Sequence, residues 1–374
     1  MTQQHETAWD RFAQWPRGRA AALLGALVLA LLAAAWAPIG AGEPGEQTAG
    51  FVAALAPQPG AAERPRDADL ALYDRIIERI GRGENYYRAA TDEQRKAHYP
   101  VRPGVAVRLP TLAYLDLVLG LPGQMVAAIA LMLGTLWAWW VRLGEEPGGA
   151  PLQRIGTALM FVGGSLGLNR NYFVLHELWA GMLLALAFAL HRPGRKWVAA
   201  LLAAGLSLAI RELCLPFVLL MAASALWRRD WKEGAAWSGL ALVFIAALAL
   251  HLHFVAQQIV PSDPPSPSWL ALRGLPGWLS NVILSSNLRF LPHYLAGPLV
   301  LLAVLGWAGW KSPAGSFGAL LFAGYGLTFM IAGRANNFYW GAVIAPALFI
   351  GLGFAPRALA SLWRSARGIK RAAA

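Results

Sequence analysis

Charged side chains are scarce in this sequence: Asp, Glu, Lys and Arg together make up 14% of the 374 residues, whereas 57% are hydrophobic. That composition provides too little polar surface for one or two soluble domains, and it predicts a membrane protein. The net charge of +12 arises from 32 basic and 20 acidic residues. In a soluble protein this excess would suggest a nucleic-acid partner, but the apolar composition excludes nucleic-acid binding.

Cysteine is nearly absent. The single residue, Cys214, excludes an intramolecular disulfide and a cysteine-based zinc site. The sequence also has no glycine-rich phosphate loop of the Walker type and no visible internal repeat. Without a Walker loop the sequence has no nucleotide site of that type. The lack of a repeat argues against those transporters that are built from internal repeats.

Long apolar runs are the main feature of the sequence. A bilayer core about 30 Å thick needs roughly 20 apolar residues per straight helix. Several runs have only about 15 residues and meet at polar dipeptides, which favours a bundle with a hydrated internal cleft. We therefore predict an all-α polytopic membrane protein with about ten transmembrane helices, at 20–38, 119–141, 155–169, 177–191, 197–211, 213–227, 236–254, 295–310, 316–333 and 339–356.

Basic residues in alternate short loops predict the orientation, because Lys and Arg beside membrane helices stay on the cytoplasmic side. Such residues occur in four alternate loops and in the C-terminal tail. Both termini are therefore expected in the cytoplasm. The predicted parts are a cytoplasmic N-terminus (1–19), a first transmembrane helix (20–38), a long extracytoplasmic loop (39–110), a transmembrane bundle (111–356) and a basic cytoplasmic tail (357–374).

The extracytoplasmic loop contains the one stretch with the periodicity of a soluble helix. Apolar residues recur at helical spacing over 67–81, which predicts an amphipathic helix on the membrane surface. Asp69 lies one turn before Tyr73 and is expected to face the membrane bundle, whereas Asp74 is expected to face water. The alternative is that Asp67 or Asp69 only caps the helix N-terminus.

The order of motifs around this helix carries a family resemblance. In sequence the features are an Asp with a Tyr four residues later, a glycine turn, a Tyr-Pro pair and a basic-Leu-Pro-Thr-Leu motif that opens the next apolar run: Asp69, Tyr73, Gly81, Gly83, Tyr99, Pro100 and 108–112. This order resembles the lipid-phosphate-sugar-dependent glycosyltransferases of the GT-C fold, in particular the protein O-mannosyltransferase and lipid A aminoarabinose transferase group. Leu70 stands where that group commonly has Glu, and 108–112 replaces its usual Lys-Pro-Pro-Leu.

Two further clusters fall on the predicted outer side. His176 and Glu177 follow a polar segment, and the resemblance makes Glu177 the second acidic residue of a site. The alternatives for Glu177 are an ion pair with Arg170 or an interfacial helix start. Arg211 precedes Glu212 between two short apolar runs, so it either forms a local salt bridge or binds a lipid-linked phosphate, for which a guanidinium is well suited.

The last cluster, at 334–340, combines basic, amide and aromatic groups at the mouth of the final helix. An interfacial aromatic belt explains its rings but not Arg334, which the positive-inside rule disfavours there. The resemblance implies catalytic roles for Asp69 and Glu177 and donor-phosphate binding by Arg211 and Arg334. It implies substrate contacts from Tyr73, Glu84, Tyr87, Arg108, Arg170, Tyr172, His176, Asn337 and Tyr339.

The expected activity is inverting transfer of a sugar from a polyprenyl-phosphate donor to an acceptor hydroxyl on a glycan, lipid or protein. The site would face the periplasm from a bacterial-type inner membrane, with Asp69, or alternatively Asp74, as the general base. No metal ligands are predicted, and the resemblance leaves a divalent cation open. A membrane transporter or lipid flippase is the alternative class, because buried charges also mark substrate paths; Asp116, inside an apolar run, is such a charge.

Overall fold

The computed structural model describes residues 9–40 and 67–369. Residues 41–66 of the predicted 39–110 loop and residues 370–374 of the predicted basic tail lie outside these ranges. In the described part of the chain, extended segments meet only in isolated bridges, and the rest of the regular structure is helical. The α-helices are, in chain order, α1 (Arg17–Trp36), α2 (Ala68–Gly81), α3 (Tyr86–Lys96), α4 (Thr111–Glu145), α5 (Gln153–Gly164), α6 (His176–Leu190), α7 (Val198–Ile210), α8 (Leu215–Trp227), α9 (Trp231–Ala256), α10 (Gly274–Leu284), α11 (His293–Gly309), α12 (Pro313–Ile331), α13 (Ala345–Leu348) and α14 (Ala355–Ala366).

Within 9–40 and 67–369, four helical stretches are long and apolar enough to cross a membrane: α1, Gly104–Glu145 (which contains α4), α9 and α12. The bent pair Ala335–Val343 and Ala345–Gly353 makes a fifth if it forms one span. The all-helical prediction is confirmed, and the long apolar helices indicate a membrane protein, but ten spans are not confirmed. Several of the predicted segments form helices that are too short: α7 has 13 residues and, at 1.5 Å per residue, is about 20 Å long.

Helix α6 forms the centre of the bundle. It is buried on almost all sides and packs against α4, α7 and the 3₁₀ helix Ala335–Val343. Aromatic rings fill the space beside its C-terminal half, where Phe188 lies 5.1 Å from Trp139 and 5.0 Å from Phe317 between ring centroids. Because its surroundings are packed so closely, the first residues of α6 hold fixed positions at one end of the bundle.

Helices α2 and α3 pack together over that end of the bundle. Asp67 caps α2 by accepting a hydrogen bond from the Asp69 backbone N–H at 3.1 Å. The predicted amphipathic helix is therefore present, and Asp67 supplies the cap. Two observed helices do not follow from the sequence patterns. The polar composition of α3 hides the face that it buries, and α10 lies between the predicted membrane helices 236–254 and 295–310.

A close approach between helices at Gly306 gives a test of the packing. A Cβ atom on Gly306, in α11, would lie 1.8 Å from the carbonyl oxygen of Gly351. Because that oxygen belongs to backbone and cannot move aside easily, Gly306→Ala should destabilise the fold by about 1–3 kcal/mol. Thermal unfolding in detergent measures the change. Gly134→Ala, in α4, is the matched control, since apart from the adjacent backbone of α4 no atom of the described residues lies within 4 Å of its Cβ position. Equal melting temperatures for the two variants would contradict this packing.

Candidate functional site

Charged and aromatic side chains from five parts of the chain converge between α2 and the start of α6. We call this group the Asp69 cluster. It contains most of the residues expected at the site. It also contains Tyr99, which belongs to the Tyr-Pro pair and has no predicted role. Its members are Asp69, Tyr73, Tyr99, Arg108, His176, Glu177, Arg211, Asn337 and Tyr339.

Asp69 lies on the bundle side of α2. The hydroxyl of Tyr99 donates a hydrogen bond to its carboxylate, and Arg108 and Glu177 are close enough to interact with it electrostatically. Burial is the largest influence on Asp69 and raises its pKa above the ordinary value, although Tyr99 and Arg108 both act in the opposite direction. One turn further, the Tyr73 ring lies 5.3 Å from the His176 ring, and burial raises the pKa of Tyr73 to about 12.

Arg108 links Asp69 to the opposite wall of the cluster. Its Nη2 donates to the hydroxyl of Tyr339 at 3.3 Å and lies 3.8 Å from Oε1 of Glu177. The same hydroxyl accepts a hydrogen bond from Nδ2 of Asn337 at 3.1 Å. The Arg108 side chain is 13% exposed, and its Nε has no partner among the described residues. Arg108 is thus a cation with donor capacity left over, near the half-buried carboxylate of Asp69.

Arg211 is occupied by two carboxylates. Its Nε donates to Glu177 at 2.7 Å, and its Nη1 pairs with Glu212. Arg211 and Glu177 are almost completely buried. The partners of Glu177 are therefore Arg211 and, more distantly, Arg108, whereas Arg170, the partner considered from sequence, is exposed to solvent. This geometry favours the salt-bridge alternative for Arg211 over phosphate binding.

Several buried polar atoms of the cluster have no hydrogen-bond partner in the part of the chain that the structure describes. They include donors and an acceptor: Arg108 Nε, Arg211 Nη2 and Glu177 Oε2. An unsatisfied buried polar group costs about 1–3 kcal/mol. Groups of both kinds at one place favour a polar ligand or water there, because either would satisfy them.

The side chains of four residues expected at the site are not part of the Asp69 cluster, and their assignment is corrected. Glu84 follows the turn after α2 and turns back to pair with Arg79 at 2.6 Å on the outer surface. Tyr87 packs 5.5 Å from the ring of His251. Arg170 is exposed. Arg334 stacks on Trp269, 5.6 Å from its ring centroid.

Tyr172 and Asp74 also differ from expectation. Tyr172 is buried in an apolar group that borders Tyr73 and Tyr339, so it supports the wall of the cluster from behind. Asp74 is half-buried, and its charge interacts with Asp116, whose two carboxylate oxygens are buried without a hydrogen-bond partner among the described residues. The expectation that Asp74 faces open water is therefore wrong. The helical period predicts which residues of α2 share a face. It does not predict that the first turns of α4 pack beside Asp74.

Within 9–40 and 67–369, no three His, Cys, Asp or Glu side chains come together in a way that could hold a metal ion. Comparison with protein-family models, with curated proteins and with solved structures gives no match to the chain. The fold and the cluster define the protein as a helical membrane protein with a buried charged site at one end of its bundle. The functional inference therefore depends on the residues of the Asp69 cluster.

Proposed function

We propose that the protein is a membrane glycosyltransferase that transfers a sugar from a polyprenyl-phosphate donor to an acceptor hydroxyl, with inversion at the anomeric carbon. The observation that carries the proposal is that Asp69 and Arg108 lie close enough to interact electrostatically. A carboxylate that faces the bundle and a cation with a free donor lie together beside apolar helices. Transfer from a lipid phosphate needs these two charges, one to take a proton and one to stabilise the leaving phosphate.

The reaction follows from their chemistry. The acceptor oxygen attacks the anomeric carbon while Asp69 takes the hydroxyl proton. A new carbon–oxygen bond forms to the acceptor, and the bond between the anomeric carbon and the phosphate oxygen breaks, so that the lipid phosphate leaves with the electron pair. The raised pKa of Asp69 makes it a stronger base than an exposed aspartate. The hydrogen bond from Tyr99 would hold the carboxylate in place.

Arg108 is the better candidate for the phosphate contact. Arg211 is neutralised by Glu177 and Glu212 and is almost completely buried, whereas Arg108 is partly exposed and retains an unpaired Nε among the described residues. We therefore assign the donor phosphate to Arg108 in place of Arg211. Arg211 would position Glu177, which could orient the acceptor.

The distribution of basic loops supports an orientation in which the Asp69 cluster faces the periplasm from a bacterial-type inner membrane. A polyprenyl-phosphate sugar would then reach the cluster laterally from the bilayer. The acceptor, a hydroxyl of a glycan, lipid or protein, would arrive from the water side beneath α2 and α3.

A donor-consumption assay tests the proposal against the alternative of a transporter or flippase. Purified protein is incubated with a lipid extract containing polyprenyl-phosphate sugars, and the lipids are followed by mass spectrometry. Loss of a lipid-linked sugar with matching gain of polyprenyl phosphate would support transfer. Movement of intact lipid-linked sugar across sealed vesicles, without cleavage in either assay, would contradict transfer and favour the flippase.

The pKa of Asp69 predicts the acidic limit of activity. A base works only when it is unprotonated, so kcat/KM should fall as the pH drops through the pKa of Asp69, which burial places above 3.8. Tyr99→Phe removes a hydrogen bond that lowers this pKa, and the acidic limb should therefore move to higher pH. Rates measured across a pH series test this. An unchanged limb, or a limb moved to lower pH, would contradict the role of Asp69 as the base.

A further inference from the structure

A second polar patch lies where the segment 268–273 runs beside the end of α12. We call it the Gly333 patch; its members are Trp269, Arg273, Asn281, Gly333, Arg334 and Trp340. The Gly333 N–H donates to the Trp269 carbonyl at 2.7 Å, and the Arg273 N–H donates to the Met330 carbonyl at 2.8 Å. These bonds fix the segment against the helix end.

Both arginines of the patch border Gly333. Arg334 follows it in sequence and places its guanidinium over the Trp269 ring, 5.6 Å from the centroid. Nη1 of Arg273 lies 3.7 Å from the position that a Cβ on Gly333 would occupy. No carboxylate pairs with Arg273 or Arg334 among the residues that the structure describes. The patch therefore holds two positive charges without a counter-ion in that part of the chain.

The unpaired side-chain atoms of the patch are all hydrogen-bond donors. They are Nε of Arg334, Nδ2 of Asn281 and Nε1 of Trp340, each buried and without a partner in the described ranges. The amide oxygen of Asn281 is already used, since it accepts from Nη1 of Arg273 at 2.9 Å. A surplus of donors next to two cations matches an anion with several acceptor oxygens, such as a phosphate.

Apolar side chains beside the patch identify the source of that anion. Leu270 and Leu272 project from the extended segment and are 78% and 88% exposed. Between them, the Ala271 N–H donates to the carbonyl of Ile331, the last residue of α12. Since α12 is long and apolar enough to cross a membrane, we expect the two leucines to lie at the edge of the bilayer. Such a position favours lipid chains around them.

We propose that the Gly333 patch binds the phosphate headgroup of a membrane lipid, with Leu270 and Leu272 among its acyl or prenyl chains. The guanidinium groups of Arg273 and Arg334 and the free donors would hold the phosphate oxygens. The inference rests on these contacts and does not depend on the transfer reaction proposed for the Asp69 cluster.

Native mass spectrometry of the full-length protein, titrated with dioleoyl phosphatidic acid, tests the proposal. The wild type should retain the lipid, and the variant with Arg273→Gln and Arg334→Gln should bind at least about tenfold more weakly, because both cationic groups and their charge-assisted hydrogen bonds to the phosphate are lost. A variant with Arg273→Lys and Arg334→Lys should recover part of the binding. If both double variants bind like the wild type, the proposal is wrong.

Further variants and a competing anion distinguish the Gly333 patch from the Asp69 cluster and from a site for free phosphate. Arg170→Gln removes an exposed arginine outside the patch and should leave lipid binding unchanged. Asp69→Asn should also leave lipid binding unchanged, because Asp69 lies outside the Gly333 patch. Lipid binding can therefore be judged even if the protein does not transfer sugar. The variant with Leu270→Ser and Leu272→Ser should weaken binding of phosphatidic acid. Displacement of the lipid by inorganic phosphate at equal concentration would show a site for free phosphate and would overturn the proposal.

Discussion

Asp69→Asn is expected to reduce sugar transfer by about a hundred- to ten-thousandfold, the usual contribution of a positioned general base. Thermal stability should change little. Asparagine keeps the size of the side chain, its amide oxygen can still accept from the Tyr99 hydroxyl, and Asp67 rather than Asp69 caps α2. Initial rates of donor consumption and the melting temperature of the purified variant measure the two effects.

Glu78→Gln provides the matched control for this change. Glu78 lies on the same helix, its side chain is 63% exposed and it pairs with Arg82 at the surface. Transfer by this variant should stay close to that of the wild type. Asp74 is a poorer control because it is half-buried and interacts with Asp116. Loss of transfer in Asp74→Asn together with a fully active Asp69→Asn would make Asp74 the base instead.

Arg211→Ala is expected to destabilise the fold by about 3–5 kcal/mol, because it leaves the buried carboxylate of Glu177 without its nearest cation. Expression and thermal unfolding in detergent measure this. The double variant Arg211→Met with Glu177→Gln should recover most of this stability. Glutamine removes the uncompensated charge, and methionine fills the space that the arginine occupied. Arg170→Ala, at an exposed position, should have no effect.

A stable Arg211→Ala variant would change the assignment of the donor phosphate. If Arg211→Ala folds as well as the wild type and weakens only the use of the lipid-linked donor, then Arg211 binds the phosphate despite its pairing with Glu177 and Glu212. The assignment of the phosphate to Arg108 would then be wrong. Donor titrations with Arg108→Gln and Arg211→Ala distinguish the two cations.

Local patterns account for the features that could be predicted from sequence. Run length locates most of the apolar helices, although it misses α10, and the 3.6-residue period places Asp69 on the face of α2 that packs against the bundle. The number of complete spans could not be predicted in this way. Whether a helix as short as α7 crosses a bilayer depends on the helices around it. It also depends on breaks within helices, such as the one at Gly120 in α4.

Contacts between distant parts of the chain account for the remainder of the site. Arg108 and Tyr339 are 231 positions apart, and Arg211 and Glu177 are 34 apart. No periodicity specifies such pairs, because the rotation of each helix in the bundle is set by packing. For the same reason the side chains of Glu84 and Arg334, whose residue types suit a sugar-phosphate site, contact Arg79 and Trp269 instead of the Asp69 cluster.

The anomeric configuration of the product tests the central proposal most directly. With a polyprenyl-phosphate sugar of known configuration, proton NMR of the product reports the configuration at the anomeric carbon. Direct attack by an acceptor oxygen that Asp69 deprotonates predicts complete inversion by the wild type and no product from Asp69→Asn on the same timescale. A product that retains the donor configuration, or one that Asp69→Asn forms at the wild-type rate, would contradict it.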